Sequence, residues 1–599
     1  MTEISHVYVI CDEEENKKKR KKINLFRQNL CLDVIQIIFD YCDLETQINL
    51  IRLCKEYDNN LKIKTLNCKL GIGNKIMQNT LAQQKKFCDI QSLIVWTNEQ
   101  IINVNHLKST LIELHCGESF VDQKGISELQ KLQLLGAMNT KITNVNHLKY
   151  SLIVLDCSEN CGIDQAGLSE LQRLQKLYAN KNEKITNVNH LKDTLIELYC
   201  RGPSGIDQEA ISELRRLQKL DAVFNEKITN VNHLKDTLIE LICSSSCGID
   251  QIGISELRKL QILDAGFNDK ITNVNYLKDT LIELNCEHSR GINQEGISEL
   301  RKLRILHTSY NEKITNVNHL KESLITLNCR TRCGITQRGI KDLQKLQKLN
   351  ASDNKKIKDV NHLKDTLLEL DCSGSSGIDQ DAISELRKLQ ILNASGNDEI
   401  TNVNHLHDSL IELHCARSCG INQQGMNELR LLQILHASDN RTITNVNHLR
   451  DTLQELVCSN NCGINQAGLN ELRKLQKLNA ACNDKIINVN HLRETLIELN
   501  CCGQCGIDQK GLSELCKLEK LDAATNEKIT NVNHLKDTLQ ELDCSGHVSR
   551  MDFTKSSRSG IRPEGIKELR KLRVITAKYS EIQCYHVKKH IIYIDRPLY

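Results

Sequence analysis

The chain has three prolines in 599 residues, 3% aromatics and no apolar run of the roughly 18 residues that a membrane-spanning helix requires. Without such a run, no membrane span is expected. The scarcity of aromatics lets each one be placed individually. A surplus of one charge is missing too: 79 basic against 76 acidic residues leave a formal charge of +3. That is too little for dedicated nucleic-acid binding, which needs many cations to displace phosphate counterions. The opening residues, MTEISHVYVICDEEEN, carry acids where a secretory leader carries lysines. The 27 cysteines are therefore read in a reducing, intracellular setting where disulfides rarely persist. The patterns G-x-x-x-x-G-K-S/T, G-x-S-x-G and H-E-x-x-H are absent. No enzyme, cofactor or resident metal is expected.

What fills the chain is repetition. The heptapeptide ITNVNHL recurs with histidines at His147, His190, His233, His319, His362, His405, His448, His491 and His534, Tyr276 standing in once, at a constant step of 43 residues. His106 precedes His147 by only 41. Each period splits into a 22-residue repeat, as in Leu238–Lys259, and a 21-residue repeat, as in Leu260–Thr280. About 24 repeats run from Ile63 to Leu572. Self-similarity at such a period marks a stacked solenoid, which grows in length without a larger spherical core.

The pattern within a repeat predicts its local structure. Leu238, Leu241 and Cys243 alternate with exposed residues, the period-two signature of a short strand. Ile249, Ile254 and Leu257 then suit a helical turn, with Asp250 as its N-cap. In the 21-residue repeat, Leu260, Leu263 and Ala265 point inward, and Ile271, Val274 and Leu277 at a spacing of three suggest 3₁₀ turns. One repeat cannot bury its apolar edge alone, so neighbours must stack and pair their strands in parallel.

The 22-residue repeat, with Cys247-Gly-Ile-Asp-Gln-Ile-Gly-Ile-Ser-Glu-Leu257, resembles the cysteine-containing leucine-rich repeats of F-box proteins. The 21-residue repeat resembles the shorter bacterial-style form. This resemblance covers roughly residues 60–580. It implies an α/β leucine-rich-repeat horseshoe with about 24 parallel strands on the concave face and short helices and 3₁₀ turns on the convex face. Horseshoes of this type bind many unrelated partners, so the fold does not name a function.

Four segments are expected: a charged flexible stretch at 1–24, a small helical module at 25–60, the solenoid at 61–579 and a cap or tail at 580–599. The basic run Lys17–Lys22 reads either as a solvated linker or as a nuclear localisation signal, leaving a cytoplasmic or nuclear location. In residues 25–57, Leu30, Val34, Ile37, Ile38 and Tyr41, then Leu44, Ile48, Ile51 and Leu53, fall at helical spacing. Leu30, Asp33, Val34, Tyr41, Asp43, Leu44 and Cys54 resemble the F-box, which docks on the Skp1 adaptor of SCF ubiquitin ligases. Cys31 and Cys42 depart from its pattern. That resemblance implies Skp1 contacts at Leu30, Val34, Ile38, Tyr41 and Leu44. The other reading is a helical cap sealing the open end of the solenoid. Near-identical copies, low proline and abundant Asn and Ile also resemble leucine-rich-repeat proteins of large DNA viruses of amoebae.

The ladders look chemical but read as structural. Equivalent histidines lie two strands, or about 10 Å, apart, too far to share a metal ion. The inward cysteines, such as Cys200, Cys243 and Cys286, are equally far apart and act as small buried apolar residues. Cys502 and Cys505 form a lone CxxC with no second pair nearby. Asn225, Asn268 and Asn311 are expected to satisfy backbone groups where the chain leaves the sheet.

Partner recognition should sit where otherwise identical copies differ on the exposed face. Tyr178, Tyr199, Phe224, Phe267 and Tyr310 cluster there, joined by Ile242 and His307, as an apolar patch for a protein target. An insertion at His547–Ser557 is a second candidate. A monomer is expected. Two functions follow: a substrate receptor of an SCF-type ubiquitin ligase, or a plain interaction scaffold.

Overall fold

A computed structural model describes residues 32–42, 44–53, 57, 60–68, 76, 78–548, 556–580, 582 and 592–594. The expected charged stretch at 1–24, its basic run Lys17–Lys22, and Leu30 lie outside the described residues. The chain divides into two compact parts, residues 1–173 and 174–599.

The N-terminal part opens with two helices, Leu32–Asp40 and Leu44–Leu53. The first is tied to the chain that enters the sheet. Gln36 accepts from the Lys62 amide at 2.9 Å and donates to the Lys62 carbonyl at 3.0 Å, so one side-chain amide does the work of a strand neighbour. Lys64 pairs with Asp40 at 3.0 Å. Five parallel strands follow, Thr65–Asn67, Ser92–Ile94, Glu113–His115, Leu134–Gly136 and Val154–Asp156, each joined to the next.

In the C-terminal part the same arrangement runs from Lys176–Tyr178 to Val574–Thr576. The strands Glu240–Ile242 and Ile262–Asp264, from consecutive repeats, pair in parallel with Leu241 opposite Leu263. Leu263 in turn faces Leu284. Each strand is only three residues long, shorter than the alternation suggests. Hydrogen bonding between repeats nevertheless continues beyond it: Cys243 donates to the Asp264 carbonyl at 2.8 Å and Ser245 to that of Gly266 at 2.7 Å. Ile592–Ile594, from the segment assigned to a cap, adds a further parallel strand beside Val574–Thr576. The insertion forms a small antiparallel pair, His547–Val548 with Ser556–Ser557.

The return path is where the two repeat types differ. In the 22-residue repeat, Gln251–Ile254 makes one α-turn, and the Asp250 carboxylate accepts from the Gly253 amide at 2.8 Å. In the 21-residue repeat, Asn275–Leu277 winds as a 3₁₀ turn. Gln251 joins the two, accepting from the Thr272 and Asn273 amides and donating to the Asn273 carbonyl. Inside, Leu238, Leu241, Cys243, Ile249, Ile254 and Leu257 are fully buried or nearly so. Each such aliphatic side chain contributes about 1.5–3 kcal/mol relative to exposure.

The ladders are structural. Asn268 is buried and donates to the carbonyls of Cys243 (2.9 Å) and Ile249 (3.1 Å) while accepting from the Lys270 amide (3.0 Å). It therefore closes the corner where the chain leaves the sheet. The 3₁₀ turn that carries His233 is entered through Asn230, which accepts from the Asn232 amide at 2.9 Å, and Asp359 does the same for Asn361 beside His362. Asn232 instead bridges forward, donating to the Ile252 carbonyl and accepting from the Glu256 amide. The histidines reach back to the preceding repeat, His319 to the Ile297 carbonyl at 2.9 Å and His362 to that of Ile340 at 3.0 Å. Cys243 and Cys286 are buried thiols.

Candidate functional site

Two surfaces expose apolar groups that the core does not use. The first is on the N-terminal helix. Leu32–Asp40 buries Ile35 and Phe39 yet exposes Val34 (37%), Ile37 (57%) and, just past its end, Tyr41 (89%). These three recur at spacings of three and four and so share one face. Ile38 and Leu44 are half-buried. Among the described residues, the helix therefore has one face held by the solenoid through Gln36 and another open to solvent. Ile37 was not among the residues singled out for adaptor contact, although its place at the centre of this stripe follows from the same helical spacing.

The second surface lies in the C-terminal part and consists of two rows. One is on the strands, where Tyr178, Tyr199, Asp221, Ile242, Asp264, Asn285 and His307 occupy the same position of successive repeats. Tyr178 and Tyr199 stack with ring centres 4.3 Å apart and planes 11° from parallel. The Lys219 ammonium stands 5.5 Å over the Tyr199 ring, whose hydroxyl donates to Glu197 at 3.1 Å. Ile242 and His307 do not extend that stack. Ile242 sits between Asp221 and Asp264, and His307 between Asn285 and Asn328. Asp221 is fully buried beneath Arg201, whose Nε donates to it at 2.7 Å. Burial raises the Asp264 carboxyl above its usual range, partly offset by the Gly266 amide. The single continuous patch expected from the sequence is thus interrupted by acids and amides.

The other row is at the corner three residues past each strand. Phe224, Ser245, Phe267, His288 and Tyr310 hold this corner in consecutive repeats, with φ of 59°, 63°, 58°, 55° and 59°. The left-handed region suits Gly, Asn and Asp, which occupy it elsewhere at Asn139, Asp353, Gly374, Gly396 and Asp439. A bulky residue there costs on the order of 1 kcal/mol or more. Phe224 and Phe267 are nonetheless 57% and 58% exposed, and Tyr310 39%. His288 joins two of them: its ring lies 4.1 Å from that of Phe267 and 4.0 Å from that of Tyr310, nearly parallel to both. Sequence reading missed His288. Aligning the two repeat types on the residue three past the strand would have found it.

The first strand position carries charges that largely pair. Lys176 meets Glu197 at 2.6 Å and Lys219 meets Glu240 at 2.8 Å. Across Glu240 on its other side stands Ile262. Exposed pairs of this kind contribute about 0.2–1 kcal/mol each and serve mainly to fix register. Among the described residues no group of three or more His, Cys, Asp or Glu is placed to hold a metal ion. Burial pushes the thiols of Cys502 and Cys505 up to about 12 and about 11, which suppresses the thiolate that redox or metal chemistry needs. No helix among the described residues is long and apolar enough to cross a membrane.

Short parallel strands, asparagine corners and capped return turns, repeated in one register, define a leucine-rich-repeat protein. No family model matches the sequence, and no curated protein matches it. Among solved structures the chain is similar to an internalin of Listeria monocytogenes, with 20% identity over 54% of this chain and 86% of that one and a TM-score of 0.34. It is also similar to TLR13 in its complex with ssRNA13, with 17% identity over 86% of this chain and 93% of that one and a TM-score of 0.43.

Proposed function

We propose that the protein is an interaction solenoid that brings two other proteins together. The C-terminal part holds a target at the Tyr178–Tyr310 stretch. The N-terminal helices hold a Skp1-type adaptor, as in a substrate receptor of an SCF-type ubiquitin ligase. The chain contributes proximity and no reacting group, and it works in the cytoplasm or, through Lys17–Lys22, in the nucleus. The observation that carries the adaptor half is the exposed stripe Val34, Ile37 and Tyr41 on a helix whose opposite face is already fixed. Exposed apolar side chains aligned on one helical face are what a partner covers.

The Gln36–Lys62 bonds favour a second reading, in which the helix only caps the sheet of a plain scaffold. Binding of purified Skp1 to the full chain, to a chain lacking residues 1–60 and to Ile37→Asp separates the two. Retention by the full chain alone supports the receptor. No retention by any form leaves the scaffold. For the target half, replacing Tyr199 and Phe224 together by Ala should abolish target capture with the fold intact, and unchanged capture would remove the patch from the account.

A further inference from the structure

The corner row contains its own standard for how a ring is held. His288 is sandwiched between Phe267 and Tyr310 at 4.1 and 4.0 Å, so two rings two repeats apart accept a third between them in face-to-face contact. One step earlier the same frame recurs with a different centre. Phe224 and Phe267 are again two repeats apart, and the corner between them is Ser245. Ser245 carries no ring, so the place beside Phe267 equivalent to that of His288 is left as a slot. A depression of about 470 Å³ opens beside Ser245 and Phe267, lined also by Glu226, Ser246, Asp269 and Lys270 but not by Phe224. Its polar wall is acidic on balance. Glu226 and Asp269 are exposed carboxylates, whereas the Lys270 ammonium is held on the Cys247 carbonyl at 3.1 Å.

We infer that this slot takes an aromatic side chain of a protein partner, presented next to a basic residue. The ring would occupy over Ser245 the place that the imidazole of His288 occupies one corner pair along, stacking on Phe267. The neighbouring cation would meet Glu226 and Asp269. A flat ring carrying a phosphate would fit the slot equally well but would bring its negative charge against the same two carboxylates, so the charge selects the peptide over a nucleotide. The inference rests on the reading of the chain as a protein-binding solenoid and names the chemistry of one subsite.

The full chain is titrated with acetyl-Arg-Trp-Arg-amide, acetyl-Arg-Leu-Arg-amide and adenosine monophosphate, with binding followed by saturation-transfer NMR on the probes. The tryptophan peptide is expected to bind about fivefold tighter than the leucine peptide, from ring contact with Phe267. Ser245→Phe fills the slot with a residue that this corner already holds at Phe224 and Phe267, and should weaken the tryptophan peptide by about tenfold. Ser245→Ala should leave it within about twofold, and Phe267→Ala should weaken it independently of any effect of the larger side chain. Equal affinity for the two peptides, or no effect of Ser245→Phe in a chain with an unchanged circular-dichroism spectrum, would overturn the slot. Tighter binding of adenosine monophosphate would overturn the peptide assignment. If the slot fails while Skp1 is still retained, the subsite alone is lost. If Skp1 is not retained while the peptide discriminates, the receptor reading alone is lost.

Discussion

Glycine at the third position of the return helix predicts a local weakness that one methyl group should expose. The amide of Val231 donates to the Gly253 carbonyl of the next repeat at 2.8 Å. A Cβ on Gly253 would fall on the Thr229 carbonyl oxygen, well inside contact distance, and 3.0 Å from the Asn230 Cα, so backbone rather than a flexible side chain must yield. The chain carries this substitution naturally at two places, Ala210 and Ala382. There the corresponding bonds, Val188 to Ala210 and Val360 to Ala382, lengthen to 3.1 and 3.2 Å, whereas the bond is 2.7–2.9 Å at glycine copies such as Gly167, Gly253, Gly296 and Gly565. The solenoid thus accepts the methyl by opening the seam between repeats. Gly253→Ala should cost about 1–3 kcal/mol, the usual penalty for overpacking, lessened by the better helix propensity of alanine. Because repeats open locally, the readout is hydrogen exchange at the Val231 amide, expected to quicken by about 5- to 150-fold. Exchange at Val446, which donates to Gly468 far along the stack, should not change. The reciprocal Ala210→Gly should slow exchange at Val188 or leave it within a few-fold. Unchanged exchange at Val231 in Gly253→Ala would refute the argument, since the methyl would then need no opening of the seam.

Three further outcomes are expected. Asn268→Ala strips two buried carbonyls and one amide of their partner and should lower stability by about 3 kcal/mol, read as faster exchange around Cys243 and Lys270. Burial lowers the pKa of His319, His362, His405, His448, His491 and His534, with a carbonyl hydrogen bond partly offsetting it. Their native pKa therefore lies below the unfolded value of about 6.5. This contribution to stability is present above that value and is lost as pH falls through it, so the urea midpoint should drop between pH 7.5 and 5.5, less so in His319→Tyr, which copies Tyr276. Iodoacetamide should label the exposed Cys88, Cys482 and Cys516 in the native chain and spare Cys243, Cys462 and Cys505, which are buried, with burial pushing the last two up to about 11.

The fold was legible because its signal repeats. A strand of three residues such as Glu240–Ile242 is too short to read alone, but eleven copies of the same leucine spacing fix both its position and its parallel neighbour. The cap at Asp250, the turn at Leu277 and the corner at Asn268 follow from local chemistry and were equally readable. The role of Asn232 was not, because its partners Ile252 and Glu256 belong to the next repeat and only stacking brings them within reach. The site was less legible for a related reason. Aromatic residues were visible one by one, but Tyr199 and Phe224 fall in different rows, and the division depends on the left-handed corner, which no spacing rule assigns to a phenylalanine. His288 was passed over because it occupies the 22-residue repeat while the rings it bridges occupy 21-residue repeats.

Uniformity also supplies a way to weigh the exceptions. Where every copy solves the same local problem, the residues best suited to it appear in some copies, Asn, Asp or Gly at the corner, while others hold Thr97, Glu118, Glu159, Lys181, Arg417, Cys482 and Thr525. A departure then has a cost that can be named, here the strain of a bulky side chain at positive φ. Four rings at this corner, Phe224, Phe267, His288 and Tyr310, fall within five consecutive repeats close to the Tyr178–Tyr199 stack, and Tyr579 holds the same corner near the other end of the stack. Stacking between Phe267, His288 and Tyr310 returns about 0.5–1.5 kcal/mol per contact, which offsets the strain for those three but gives nothing to Phe224, which exposes its ring beside Ser245. Phe267 is thus the ring that both the His288 stack and a ring bound over Ser245 would use.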